Sequence, residues 1–201
     1  MVTINVVCTF TEELLGTAPG NPEVYKAYVE SKRPADAPPD NEAEAISLDE
    51  ELDLGTTVFP RDSGRPFLWD YQIKGFCKDA CGMLARAEGS DSSKLKAYKK
   101  VVDGLLFVDP RRIVIELPED GKITLCERPL RAQTAKGERI ALARSEVVPA
   151  GSRIAFSVTL MTTKLVDPFH EWMEYGRRRG LGQWRNSGKG TFEAALEVVK
   201  K

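Results

Sequence analysis

Histidine is nearly missing from this chain of 201 residues; His170 is the only one. That leaves no ligand set for a Cys/His zinc site, and His170, on an expected helix, is assigned no catalytic role. Cysteine is scarce too. Cys8, Cys77, Cys81 and Cys126 do not make the dense framework of a small secreted scaffold. Cys77 and Cys81 lie one helical turn apart, but two thiols do not close a tetrahedral site, so all four are read as packed thiols without chemistry. No apolar run approaches the ~20 residues that span a bilayer. The stretch Met1–Phe10 alternates like a strand and lacks a basic n-region and a small-residue cleavage site. No signal peptide and no membrane partner are expected, and the protein is read as cytoplasmic. No internal repeat is visible. No cofactor or resident metal is expected.

What the chain does have is ample core material, at 42% hydrophobic residues, and a split charge. The formal net charge is −1, yet residues 1–55 hold three bases against twelve acids, a net −9, and the remainder carries +8. This asymmetry fits an acidic appendage on a domain with a basic face suited to polyanions. The length fits a single domain over 1–201, with residues 20–55 as an acidic insertion.

Periodicity orders the elements. Residues 2–10 read as a strand; 22–33 as a short helix with Asn21 as N-cap; 34–44 as a Pro-rich acidic loop; and 45–55 as a second acidic segment. A strand, a turn at Asp62-Ser63-Gly64 and an apolar run lead into a helix that Asp70 is expected to cap. Ile73, Phe76, Cys77, Met83 and Leu84 form its apolar stripe. A short basic helix over 94–104, strands at 105–110 and 111–117, and a strand from Ile123 follow. Residues 134–151 form a basic hairpin or loop, and Ser152–Met161 a strand. The next helix has Asp167 as N-cap and Pro168 at its first position, then comes a glycine-rich loop and a closing strand at 191–198. This order is compatible with a β-α-β-β-α-β unit: an α+β, ferredoxin-like antiparallel sheet with helices on one face.

The glycine-rich loop, "GRRRGLGQWRNSGKG" (Gly176–Gly190), poses the sharpest question of function. It is not a Walker loop: five residues, not four, separate Gly182 from Gly188, Lys189 is followed by glycine, and a helix precedes. It is not a dinucleotide fingerprint, because G-x-G-x-x-G opening a helix is not matched. Two readings stay open. Backbone without Cβ beside Arg185 and Lys189 suits a phosphodiester chain, with Trp184 stacking on a base; alternatively it is a structural turn with a core tryptophan. Lys74 and Gly75, early in a helix, suit a phosphate contact or close packing on the sheet. Arg128, Arg131, Lys136, Arg139 and Arg144 recur through the hairpin segment, as RNA contacts or as a solvated surface. Among the acids Asp49, Glu50, Glu51 and Asp53, Asp53 is the candidate catalytic residue of a metal-dependent ribonuclease; a solvated acidic loop is the other reading.

Four stretches, in order, resemble the RAMP superfamily, the repeat-associated proteins that build CRISPR RNA-guided effectors. They are "VTINVVCTFTEELLGTAPG", "VFPRDSGRPFLWDYQIKGFCKDACGML", "ARSEVVPAGSRIAFSVTLM" and "GLGQWRNSGKGTF". The likeness is to the backbone subunits that line up along guide RNA. It implies an RRM-type core with an inserted thumb, and RNA contacts at Lys74, Gly75, Gly182, Arg185, Gly188 and Lys189. The implied partners are single-stranded or guide RNA, further copies of the chain, or other effector subunits. Where the family usually has Pro-Gly-Ser-Ser ahead of the Lys-Gly pair, this chain has "LWDYQ". The resulting expectation is a non-enzymatic RNA-binding protein. The alternatives are a viral or stand-alone protein that binds or inhibits a defence complex, and a metal-dependent endoribonuclease using Asp53.

Overall fold

The computed structural model describes residues 1–19, 55–134 and 137–199, with the backbone alone for 130–141. Asp53, its acidic neighbours and the helix expected at 22–33 therefore lie outside the described residues. The rest is an α+β fold with a large antiparallel sheet and few helices.

Alternation makes the central strand. In β1 (Val2–Phe10), Ile4, Val6, Cys8 and Phe10 are buried, while the odd-numbered positions face the other side. β1 pairs antiparallel with β11 (Arg153–Leu160) on one side and with β12 (Phe192–Val199) on the other. β7 (Leu106–Asp109) and β8 (Arg112–Glu116) both pair with β11. β8 in turn pairs with β6 (Arg65–Trp69), and β6 with β5 (Arg61–Asp62) across the Ser63-Gly64 turn. Through β1 the order runs β12, β1, β11, β8, β6, β5. A second sheet joins β2 (Leu14–Leu15), β10 (Gly137–Val148), β4 (Thr57–Val58) and β3 (Ala18–Pro19), with β9 (Thr124–Thr134) paired along β10. The basic segment expected as a hairpin or loop is thus the return strand of a long β9–β10 hairpin, held by register from Thr124↔Val147 to Thr134↔Gly137.

Three α-helices are described: α1 (Asp70–Leu84), α2 (Tyr98–Leu105) and α3 (Val166–Arg179). Phe76 and Cys77 of α1 and Phe169, Trp172 and Met173 of α3 share one core with the even face of β1. The stripe of α1 is Ile73, Phe76, Cys77, Ala80 and Cys81. Met83 belongs to the expected stripe but is exposed, since position 83 lies off the i, i+3, i+4 face that Ile73 starts. Both N-caps also shift. Asp70 is the first helical residue of α1 and Trp69 the cap: Gln72 Oε1 reaches back to accept from the Trp69 N–H at 2.8 Å, so the cap lies one residue before the expected one. In α3 the cap is Leu165 and Asp167 sits in the first turn, where its charge suits the helix dipole.

Beside this core a polar chain ties α3 to the Ser92–Lys94 turn. Trp172 Nε1–H donates to Ser92 Oγ at 2.8 Å, and the Ser92 hydroxyl donates to Glu171 Oε2. Glu171 also accepts the N–H groups of Asp91 and Ser92, closing the Ser92–Lys94 turn onto α3. Cys8, Cys77 and Cys81 are buried, and burial pushes the thiols of Cys8 and Cys77 well above their ordinary pKa. Among the described residues no His/Cys/Asp/Glu cluster could hold a metal, and no helix is long and apolar enough to cross a membrane.

Candidate nucleic-acid interface

The glycine-rich loop runs from the end of α3 to β12. Leu181 N–H donates to Gly190 O and Gly190 N–H to Glu13 O, both at 2.8 Å, so its two ends are tied to each other and to the β1–β2 turn. Gly182 has φ +75°, and a Cβ there would stand 2.8 Å from Leu14 Cδ1 and 2.9 Å from the Leu15 carbonyl. Only glycine lets the loop lie this close to β2. Gly188 is also left-handed, with nothing within 4 Å of a Cβ.

Trp184 is not a core residue. It is 41% exposed and holds a left-handed backbone, φ 55° and ψ 31°, at the head of the Arg185–Ser187 turn. A bulky side chain in that region is strained, and its neighbours must hold it there. Arg128 does part of this. Its guanidinium lies 5.4 Å from the indole centroid and donates to Gln183 Oε1 at 2.7 Å and Ser145 Oγ at 2.9 Å. Arg128 is only 6% exposed, and its partners among the described residues are all neutral. Among the described residues no carboxylate therefore neutralises the buried cation beside Trp184.

Gly75 and, more than a hundred residues later, Gly182 and Arg185 line one cleft of about 230 Å³ with Thr17, Gln72, Phe76, Asp79 and Leu181. A Cβ at Gly75 would meet nothing within 4 Å, so this glycine does not serve close packing on the sheet. Asp79, one turn further along α1, accepts from Arg185 at 2.9 Å and from Arg179 at 2.8 Å. Burial works to raise the Asp79 carboxyl, but the Arg179 hydrogen bond and the two guanidinium charges hold it below its ordinary value. Lys189 donates to Glu13 at 2.7 Å, with Glu12 at 3.7 Å; the Glu13 bond is the main reason its ammonium is raised.

Lys74 stands apart from the cleft. Its ammonium donates to the Asp103 carbonyl at 3.1 Å and lies 5.0 Å from the Phe107 ring centroid. Arg131, Lys136 and Arg139 lie where side chains are not described; the backbone pairs Ala132 with Arg139 and Arg131 with Ile140 along the hairpin. Arg144 bonds Glu127. The sequence reading did not include Asp79, Gln183 or Glu13. Asp79 had a signal, since its spacing from Gly75 places both on one helix face; Glu13 and Gln183 had none short of the fold.

No family model and no curated protein matches the sequence. Solved structures do. A chain of the Type III-B Cmr-beta complex, determined bound to cognate target RNA, aligns with a TM-score of 0.56 at 12% identity over 99% of this chain; this chain spans 61% of its length. Cmr6 from Pyrococcus furiosus aligns with a TM-score of 0.51 at 12% identity, covering 96% of this chain and 98% of Cmr6. At such identity the likeness shows the fold alone: the α+β architecture is that of CRISPR effector subunits of the Cmr type.

Proposed function

We propose that the chain is a single-domain, RAMP-type protein that binds single-stranded RNA across the Gly75–Gly182 cleft, in a binding rather than a cleaving role. The strand order β12-β1-β11-β7, with α1 and α3 on one face, supports a ferredoxin-like core, with residues 20–55 as its insertion. The observation that carries the reading is Trp184: an exposed indole held in a left-handed conformation, with the buried guanidinium of Arg128 on it, whose partners among the described residues are neutral. A base stacks on the indole, the backbone passes Gly75, where no Cβ intrudes, along the cleft that Gly182 also lines, and Arg185 and Lys189 exchange carboxylate for phosphate. Arg131 and Arg139 extend the contact along the hairpin. Partners of the RNA-bound form are further copies or effector subunits, as in the RNA-bound Cmr-beta assembly.

Filter binding with single-stranded RNA at low salt tests this. Wild type binds, and Trp184→Ala weakens binding about 5- to 150-fold, the value of one stacked base. Absence of wild-type binding at low salt overturns the proposal.

A further inference from the structure

The outer face of α1 continues past the cleft. Tyr71 lies one helical turn before Gly75, on the same face, and is 55% exposed. Its ring is stacked on Trp69, with centroids 6.0 Å apart and planes at 15°. The Arg111 and Arg112 guanidinium groups lie 5.6 and 5.8 Å from the Trp69 ring centroid. This arrangement is built in. Trp69 pairs directly with Arg112 across β6 and β8, and the Asp70 N–H donates to the Arg111 carbonyl at 3.0 Å. Gln72 joins the patch to the cleft: its Oε1 caps Trp69, and its Nε2 donates to Thr17 Oγ1 at 2.8 Å.

From this geometry we infer that Trp69, Tyr71 and Arg111 form a second stacking station for single-stranded nucleic acid, engaged by the strand that occupies the Gly75–Gly182 cleft. The inference rests on the proposed RNA-binding role. The features that favour nucleic acid over a protein partner are two nearly parallel rings, of which Tyr71 is 55% exposed, with the Arg111 and Arg112 guanidinium groups over the Trp69 ring. That is a platform for successive flat bases rather than a socket for one anchoring side chain. The patch acids do not close it. Asp70 and Asp62 approach Arg111 and Arg112 only at 3.5 and 3.3 Å, and the Arg111 side chain is 72% exposed. Pairs this open are held weakly, so a phosphate displaces them readily. The continuity with Gly75 gives the station a reading length: it is reached only by a strand long enough to cross the cleft and continue by one helical turn.

Fluorescence anisotropy on oligoribonucleotides of about 4 to 16 nucleotides, the range of site sizes in single-strand grooves, tests the inference. Wild-type affinity should step up with length. Tyr71→Ala and Arg111→Ala should lose that step, about 5- to 30-fold on long oligonucleotides, and match wild type on the shortest, whereas Trp184→Ala weakens every length. Tyr71→Phe, which keeps the plane, should restore the step. Thermal melting confirms that the exposed variants fold. If Tyr71→Ala and Arg111→Ala follow wild type at every length, the second station is wrong and the cleft reading stands. Loss of a bound protein, with RNA binding unchanged, likewise overturns it in favour of a protein surface. If wild type binds no oligonucleotide, the cleft reading itself fails.

Discussion

Gly75 sits in the second turn of α1, and nothing lies within 4 Å of the Cβ it lacks. At an exposed helical position glycine costs about 1 kcal/mol relative to alanine. Neither packing nor turn geometry calls for that cost; on the proposed function it is returned by the RNA backbone that approaches the helix there. Gly75→Ala is therefore expected to raise stability by up to about 1 kcal/mol in chemical denaturation while lowering RNA affinity several-fold. A variant that is more stable and binds equally well would show that no ligand backbone passes there. Much at this scale was legible in the sequence. The Lys-Gly pair and the glycine loop stood out as types suited to a phosphate backbone, and Gly75, Gly182 and Arg185 do line one cleft. The exposure of Trp184 was not legible, because it depends on a left-handed backbone and on Arg128 arriving from a distant strand. Nor was the orientation of Lys74, whose partners Asp103 and Phe107 lie on other elements.

At the scale of elements, one carboxylate couples α1 to the end of α3 and the glycine loop. Asp79 takes Arg179 and Arg185 together, with its side chain 24% exposed. Its folded pKa is depressed by those partners against the opposing pull of burial. The stability it contributes is therefore present above the unfolded-state value of about 3.9 and is lost as pH falls through the lower folded value. Melting temperatures of wild type should fall below about pH 4, and Asp79→Asn should flatten that acid limb. At neutral pH the same variant should be less stable by about 1–2 kcal/mol, since two guanidinium groups then face each other with weaker acceptors. Equal acid limbs would remove Asp79 from this role. The elements themselves were mostly readable: β1 from strict alternation, the β5–β6 turn from Asp62-Ser63-Gly64, and α3 from Asp167 and Pro168 at its start. The α1 cap slipped by one residue because Gln72, three residues beyond Trp69, satisfies the Trp69 N–H and lets the helix open at Asp70. The length of β10 was hidden because its basic residues interrupt the apolar alternation, and its strand conformation is held by pairing with β9.

For the molecule as a whole, the net charge of −1 and the split between an acidic first quarter and a basic remainder bound how it can meet a polyanion. The charge excess beyond residue 55 is +8, yet the cleft cations are already engaged: Arg185 with Asp79, and Lys189 with Glu13 and Glu12. Phosphate binding here exchanges one anion for another rather than filling an open basic groove, so few counterions are released per site. If Arg128, Arg185 and Lys189 take one phosphate each and Arg111 a fourth, a single strand gives a log–log salt slope of about −3, at about −0.7 per phosphate. Arg111→Ala should bring this to about −2 on long oligonucleotides and leave it unchanged on short ones. A slope of about −5 or steeper would mean that the β9–β10 hairpin, through Arg131, Lys136 and Arg139, carries most of the contact; substituting those three should then remove about 2 from it. A slope near zero would mean that the cations stay with their carboxylates in the complex, and stacking on Trp184 alone would have to account for binding. The slope measured against oligonucleotide length thus separates a strand held by the cleft from one held by the hairpin, because only the cleft path acquires its last phosphate contact at Arg111.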